Sequence, residues 1–104
     1  MTAKVMADYI LLMHDDAPEG QRDHDPGKWA TYLGKLKKAG VFQGGSSIGD
    51  GICTSKSGPA ATITGLSGYI RVQAESLTKA RELVVGNPVF EAGGTVEIRE
   101  LLKD

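Results

Sequence analysis

Tyr9-Ile10-Leu11-Leu12-Met13 runs straight into His14-Asp15-Asp16. Five apolar side chains in a row, cut off by a polar triplet, read as a β-strand buried on both faces, because successive strand side chains point to opposite sides. Such a strand needs cover on each side. Tyr69 to Ala74 alternates instead, with Ile70, Val72 and Ala74 on one face and Tyr69, Arg71 and Gln73 on the other. That is a strand with one purely apolar face. Thr95 to Leu101 alternates again through Val96 and Ile98 and closes the chain as a further strand.

The segments between these strands supply helices. Asp25-Pro26 is a helix start, an acceptor for free amides followed by a ring whose fixed φ suits the first helical position. Behind it Trp29, Leu33, Leu36 and Ala39 or Gly40 recur at helical spacing with Tyr32 on the flank, and Gly40 supplies the left-handed stop. Val41-Phe42-Gln43 leads a short second strand, which Gly44 to Gly51 breaks with turn residues. Ile52 to Thr54 and Ala61 to Thr64 flank a turn from Ser55 to Pro59 and predict a small hairpin or arm, with Pro59 favouring an edge position. Ser76 caps a second helix carrying Leu77, Ala80, Leu83 and Val84, which Gly86-Asn87-Pro88 stops. The order predicts an α+β domain of ferredoxin-like βαββαβ type, an antiparallel sheet with two helices on one face. Two helices cover one face only, so a second copy packed sheet to sheet is expected over the other.

Composition narrows the function classes. At 104 residues the chain makes one domain, spanning 1–104. Twelve basic residues against 13 acidic ones, with no basic stripe interleaved with aromatics, argue against a nucleic-acid partner. Lys35, Lys37 and Lys38 fall in the last turn of the first helix, where cations complement the dipole and face water. Cys53 is the single cysteine, which excludes an internal disulfide and fits a reducing compartment. No apolar run is long enough to span a bilayer and no signal-peptide pattern opens the chain, so the expected location is cytoplasmic and no membrane partner is expected.

Four features bear chemistry-capable residues. His14 with Asp15 and Asp16 has the residue types of a general base beside carboxylates; only His14 and Asp16 would share a face, and a solvated strand end is the alternative. His24 and Asp25 precede the first helix, Asp25 most economically as its cap; two histidines without a nearby cysteine make no metal site. Gly44 to Gly51 lacks the lysine of a phosphate-binding loop and the strand-to-helix position of a dinucleotide fingerprint. Cys53, without a charged neighbour, reads as a buried or inert thiol. Trp29 is a core residue or, with Tyr32 and His14, the wall of a small-ligand cleft. No cofactor and no metal are expected.

Tyr9 to Met13 with acidic residues after it, Gly40-Val41 ending the first helix, Gly68-Tyr69-Ile70, and Val96-Glu97-Ile98-Arg99-Glu100-Leu101 resemble, in order and spacing, the YCII-related family, especially its DGPF-type branch. The resemblance covers the chain after Met6, which leaves residues 1–5 as an N-terminal extension. It implies a ferredoxin-like dimeric α/β barrel with a small-molecule site in the subunit cleft. Some relatives pair a His with an Asp there, and some act as a lyase or dehydrochlorinase on ring compounds. The family His would fall near Lys28 or Trp29, and its Asp before Pro is Asn87 here, so neither partner stands in place. An Asn cannot take up a proton as a base, nor can a Trp replace an imidazole. Ser57-Gly58-Pro59-Ala60 stands where Asp-Gly-Pro-Phe names the branch.

Three readings follow. The chain binds a small molecule in a cleft near a dimer interface without catalysis; it is a small lyase- or isomerase-type enzyme on a ring or keto compound, with His14 or His24 as acid or base and Asp16 beside it; or it is a non-catalytic dimerisation or accessory domain.

Overall fold

The computed structural model describes residues 5–20 and 26–103. Four strands, β1 (Ala7–His14), β2 (Phe42–Ser47), β3 (Leu66–Ala74) and β4 (Val96–Leu101), form one antiparallel sheet in the order β2-β3-β1-β4. Helix α1 (Pro26–Lys38) joins β1 to β2, and α2 (Leu77–Glu82) with α3 (Pro88–Glu91) joins β3 to β4. This is the expected ferredoxin-like α+β order, except that two short helices replace the single second one.

The central position of β1 follows from its composition. Leu11 lies opposite Ile70 of β3 and Ile98 of β4. Tyr9, Leu11 and Met13 are buried together with Ile70, Val72 and Ala74, and the helices close this face with Tyr32, Leu36, Ala80 and Val84. Each such aliphatic side chain contributes about 1.5–3 kcal/mol on burial. Within the single chain one face of β1 is buried, while Ile10 and Leu12 on the other are half-buried. They face the side of the sheet that the core helices leave.

Local signals place the elements. Gly40, at φ +76, ends α1 with Gly40 N–H on Lys37 O and Val41 N–H on Leu36 O, the six-to-one closure that needs a left-handed residue. Ser76 caps α2 by accepting from Lys79 N, and the three lysines end α1 as expected. Asp25 lies outside the described residues.

Two expectations are overturned. Gly44 to Ser47 does not break β2 but belongs to it, with a bulge between Phe42 and Gly44. Gly44 sits at φ +127, and a Cβ at Gly45 would fall 2.5 Å from Tyr69 O, so the strand needs glycine to pass this close to β3. Arg71 Nη2 donates to Gln43 O at 2.8 Å and satisfies the carbonyl the bulge displaces. The second correction concerns the hairpin: residues 48–65 carry no strand, and the arm is an irregular, exposed loop from β2 to β3. Its Ser, Gly, Pro and Thr offer no sustained alternation with which to pair. No helix is long and apolar enough to cross a membrane among the described residues.

Candidate functional site

A cavity of about 470 Å³ opens between α1, α3 and the end of the sheet where β1 finishes and β3 begins. Met13, Trp29, Leu33, Phe42 and Val89 give it apolar walls, and Gly45 and Gly68 form part of the sheet side. Glycines there keep the floor low, because side chains at those positions would fill the space or collide with the neighbouring strand. Trp29 comes from the start of α1 and packs edge-on against Tyr32, with ring centroids 6.1 Å apart at 72°. Trp29, Leu33, Phe42 and Val89 are all half-buried, which is how residues look when one side packs and the other lines a hollow.

His14 and Trp29 line this cavity. Tyr32 does not: it is buried beneath Trp29, and its hydroxyl donates to Leu83 O at 2.8 Å. Burial raises the Tyr32 phenol, and the nearby Asn87 side chain acts the other way. The flank position assigned to Tyr32 from helical spacing is thereby corrected to a core position. Cys53 is exposed on the arm, not buried. His24 lies outside the described residues. Among the described residues no group of three or more His, Cys, Asp or Glu is placed to hold a metal ion.

His14 and Asp16 part company in the fold. A register shift between Met13 and His14 ends the regular pairing of β1. His14 Nε2 and Glu97 Oε1 lie 2.9 Å apart, and Arg99 Nη1 meets Glu97 Oε2 at 3.3 Å. Glu97 stands opposite Leu12, on the sheet face away from the core helices, and His14 at the end of β1, where the cavity opens, reaches it from the rim. The His14 contact holds the Glu97 carboxyl below the usual carboxylate range, aided by Arg99 and opposed by burial. Asp16 is engaged elsewhere: Thr95 N donates to Oδ1 at 2.7 Å and Thr95 Oγ1 to Oδ2 at 2.6 Å. These bonds lower the Asp16 carboxyl. They tie the loop after β1 to the start of β4, a structural latch.

The latch has a pH signature. A carboxyl whose folded pKa lies below its unfolded value stabilises the fold above the unfolded value of about 4 and loses that contribution as pH falls through the folded one. The Tm advantage of the wild type over Asp16→Ala is therefore expected to be full at pH 6 and to shrink steadily below pH about 4. An advantage independent of pH in a series of thermal melts would refute the latch.

Sequence reasoning missed Glu97. The signal lay in the alternation of β4 against β1: once the two strands pair antiparallel with Met13 opposite Val96, Glu97 falls on the face of Leu12, within reach of His14 at the strand end. It also missed what Asn87 does. Asn87 is fully buried, does not line the cavity, and caps α3 by accepting from Val89 N at 2.9 Å and Phe90 N at 3.2 Å. Trp29 thus forms part of the wall, and Asn87 caps the helix that carries Pro88 and Val89 into it.

The family model of the YCII-related domain matches residues 7–103. Among solved structures, 5-chloro-2-hydroxyhydroquinone dehydrochlorinase from Burkholderia phenoliruptrix, in complex with 2,5-dihydroxybenzoquinone, is similar over 93% of this chain and 95% of its own, with a TM-score of 0.58 and 17% identity. At that identity the likeness speaks for the fold alone. No curated protein matches the chain. The element order, the sheet and the match over nearly the whole length agree: the chain belongs to the YCII-related domain family.

Proposed function

We propose that the chain is a homodimeric protein that binds one small, largely apolar ring compound in the cavity under Trp29. The cavity carries this reading: about 470 Å³, within the range of about 300–1,000 Å³ usual for small-molecule sites, walled by Trp29, Leu33, Phe42, Met13 and Val89. A flat glycine floor and an aromatic wall suit a ring better than a flexible chain. The ring compound held by the similar dehydrochlorinase, a dihydroxybenzoquinone, supports hydroxylated rings as the first class to try. The half-bare Ile10 and Leu12, with Leu101 37% exposed, support a second copy over the free sheet face.

One observation favours an acid–base role in addition. His14 sits on Glu97 at 2.9 Å, and a carboxylate on one imidazole nitrogen fixes the tautomer while proton exchange runs through the other. A ring hydroxyl is a fitting proton donor to such a base.

NMR titration with hydroxylated benzoquinones and hydroquinones tests both readings. Trp29 is the only tryptophan, so its indole N–H gives one resonance. A saturable shift of that resonance is the expected result, and none up to the solubility limit would rule out the cavity as a site for these rings. If the His14 ring signals move along the same saturation curve, the acid–base reading stands. If Trp29 moves alone, the protein binds without engaging His14.

A further inference from the structure

We propose that the arm of residues 48–65 is a clasp that lies against a second copy of this chain. The proposal rests on the homodimer proposed above and adds the part that holds it. Every residue from 49 to 65 is exposed, and Ile52 is 89% and Ile63 42% exposed. The legs of the arm stand side by side, since a Cβ at Gly51 would lie 4.0 Å from Ile63 Cδ1. The connection joins β2 and β3, antiparallel neighbours that a turn of about two to five residues would link. A loop this long without secondary structure is uncommon in a small domain unless it has a task.

The molecule is also extended as a whole, with a radius of gyration of 15.5 Å and extents of 55 × 39 × 19 Å, against about 13 Å expected for a compact chain of this length. Ordering the arm costs conformational entropy that solvated isoleucines do not return. A partner surface returns it. The arm carries only Asp50 and Lys56 as charges among its eighteen residues, so nothing in it selects a nucleic acid or a strongly charged protein. A second copy fits best. It offers a half-bare apolar face of its own, and a twofold axis lets each copy supply one arm and receive one.

The competing place for the arm is its own cavity, because its feet at Ser47 and Ser67 line the rim. Cys53, the single cysteine, stands on the arm and separates the two. The rate of its alkylation by N-ethylmaleimide is measured on the full chain across a dilution series, with the monomer–dimer equilibrium followed by sedimentation. The expected result is a rate at least tenfold lower in dimer than in monomer, and a dimer at least tenfold weaker in the Ile52→Asp, Ile63→Asp variant. Circular dichroism of that variant should match the wild type, since both side chains lie outside the core. Equal rates in monomer and dimer would overturn the clasp and leave the dimer standing. Protection that ignores concentration would place the arm on its own chain and overturn it too, and a monomer at every concentration would end both proposals.

Discussion

Truncating Leu11 to alanine is expected to lower the free energy of unfolding by about 3–5 kcal/mol, the loss of transfer energy together with a cavity that a central strand cannot close. Leu11 has no exposed surface, lies in the middle strand of the sheet, and faces Ile70 and Ile98 across both neighbours. Backbone hydrogen bonds on both edges of β1 stop the strand from settling into the gap. A domain with about 5–15 kcal/mol in all would be left near its unfolding threshold. Leu12→Ala, one residue along on the half-buried face, should cost about 1 kcal/mol in the monomer. Urea unfolding at fixed protein concentration compares them, with an unchanged slope as the sign that only stability moved. Equal costs in dilute solution would contradict the alternation of β1. A Leu12→Ala cost that grows with protein concentration would report a partner over the free face, because binding of a second copy adds to apparent stability by mass action.

Much of the fold was legible because its strongest signals are local. The strict alternation from Tyr69 to Ala74, the glycine after α1 and the serine before α2 each act through the residue's own geometry, and each appears where the sequence put it. The apolar run of β1 is a strand, as read, and its second face is half-buried within the single chain. Periodicity reports which side chains are apolar, and whether a neighbour lies over them is decided by other parts of the chain or by another chain. Glycines misled in β2 for a related reason. Gly44 and Gly45 look like breakers in isolation, yet the close approach of β3 at Tyr69 demands them within the strand.

The site was harder to read. His14 and Trp29, which line the cavity, stand out by type, a histidine after an apolar strand and a tryptophan opening a helix. Their partners depend on register. Nothing within the sequence neighbourhood of His14 points 83 residues ahead to Glu97, while Asp16, two residues away, was the natural expectation and turned out to serve Thr95. Short range made Asp16 visible, and tertiary pairing made Glu97 the neighbour. The same limit applies to α3. Asn87-Pro88 reads as a helix stop and a helix start alike, and four residues carry too little periodicity to tell the two apart.

Asn87→Ala is expected to cost about 2–3 kcal/mol and to weaken ligand binding in the same variant. The Asn87 side chain is completely enclosed, and its Oδ1 is the acceptor for Val89 N–H and Phe90 N–H. Removing a cap costs about 1 kcal/mol when the amides it leaves can turn to water; here the turn is partly buried and they cannot do so fully, which adds the penalty of unpaired donors. Among the described residues Asn87 Nδ2 has no acceptor within hydrogen-bond distance, so the oxygen carries the capping role. Asn87→Asp keeps that oxygen and both amide bonds, at the expense of a carboxyl in an enclosed place. It should therefore lie between wild type and Asn87→Ala in denaturant unfolding. The order tests the cap: an alanine variant as stable as wild type would remove it, and an aspartate variant no better than alanine would show that the amide nitrogen matters after all. Function follows by position. Pro88 and Val89, the residues that the cap sets in place, line the cavity together with Trp29, so a slack α3 widens the site and the Trp29 resonance should need more ligand to saturate. If Asn87→Ala loses stability and binds the ring compounds as tightly as wild type, α3 supports the fold without shaping the site.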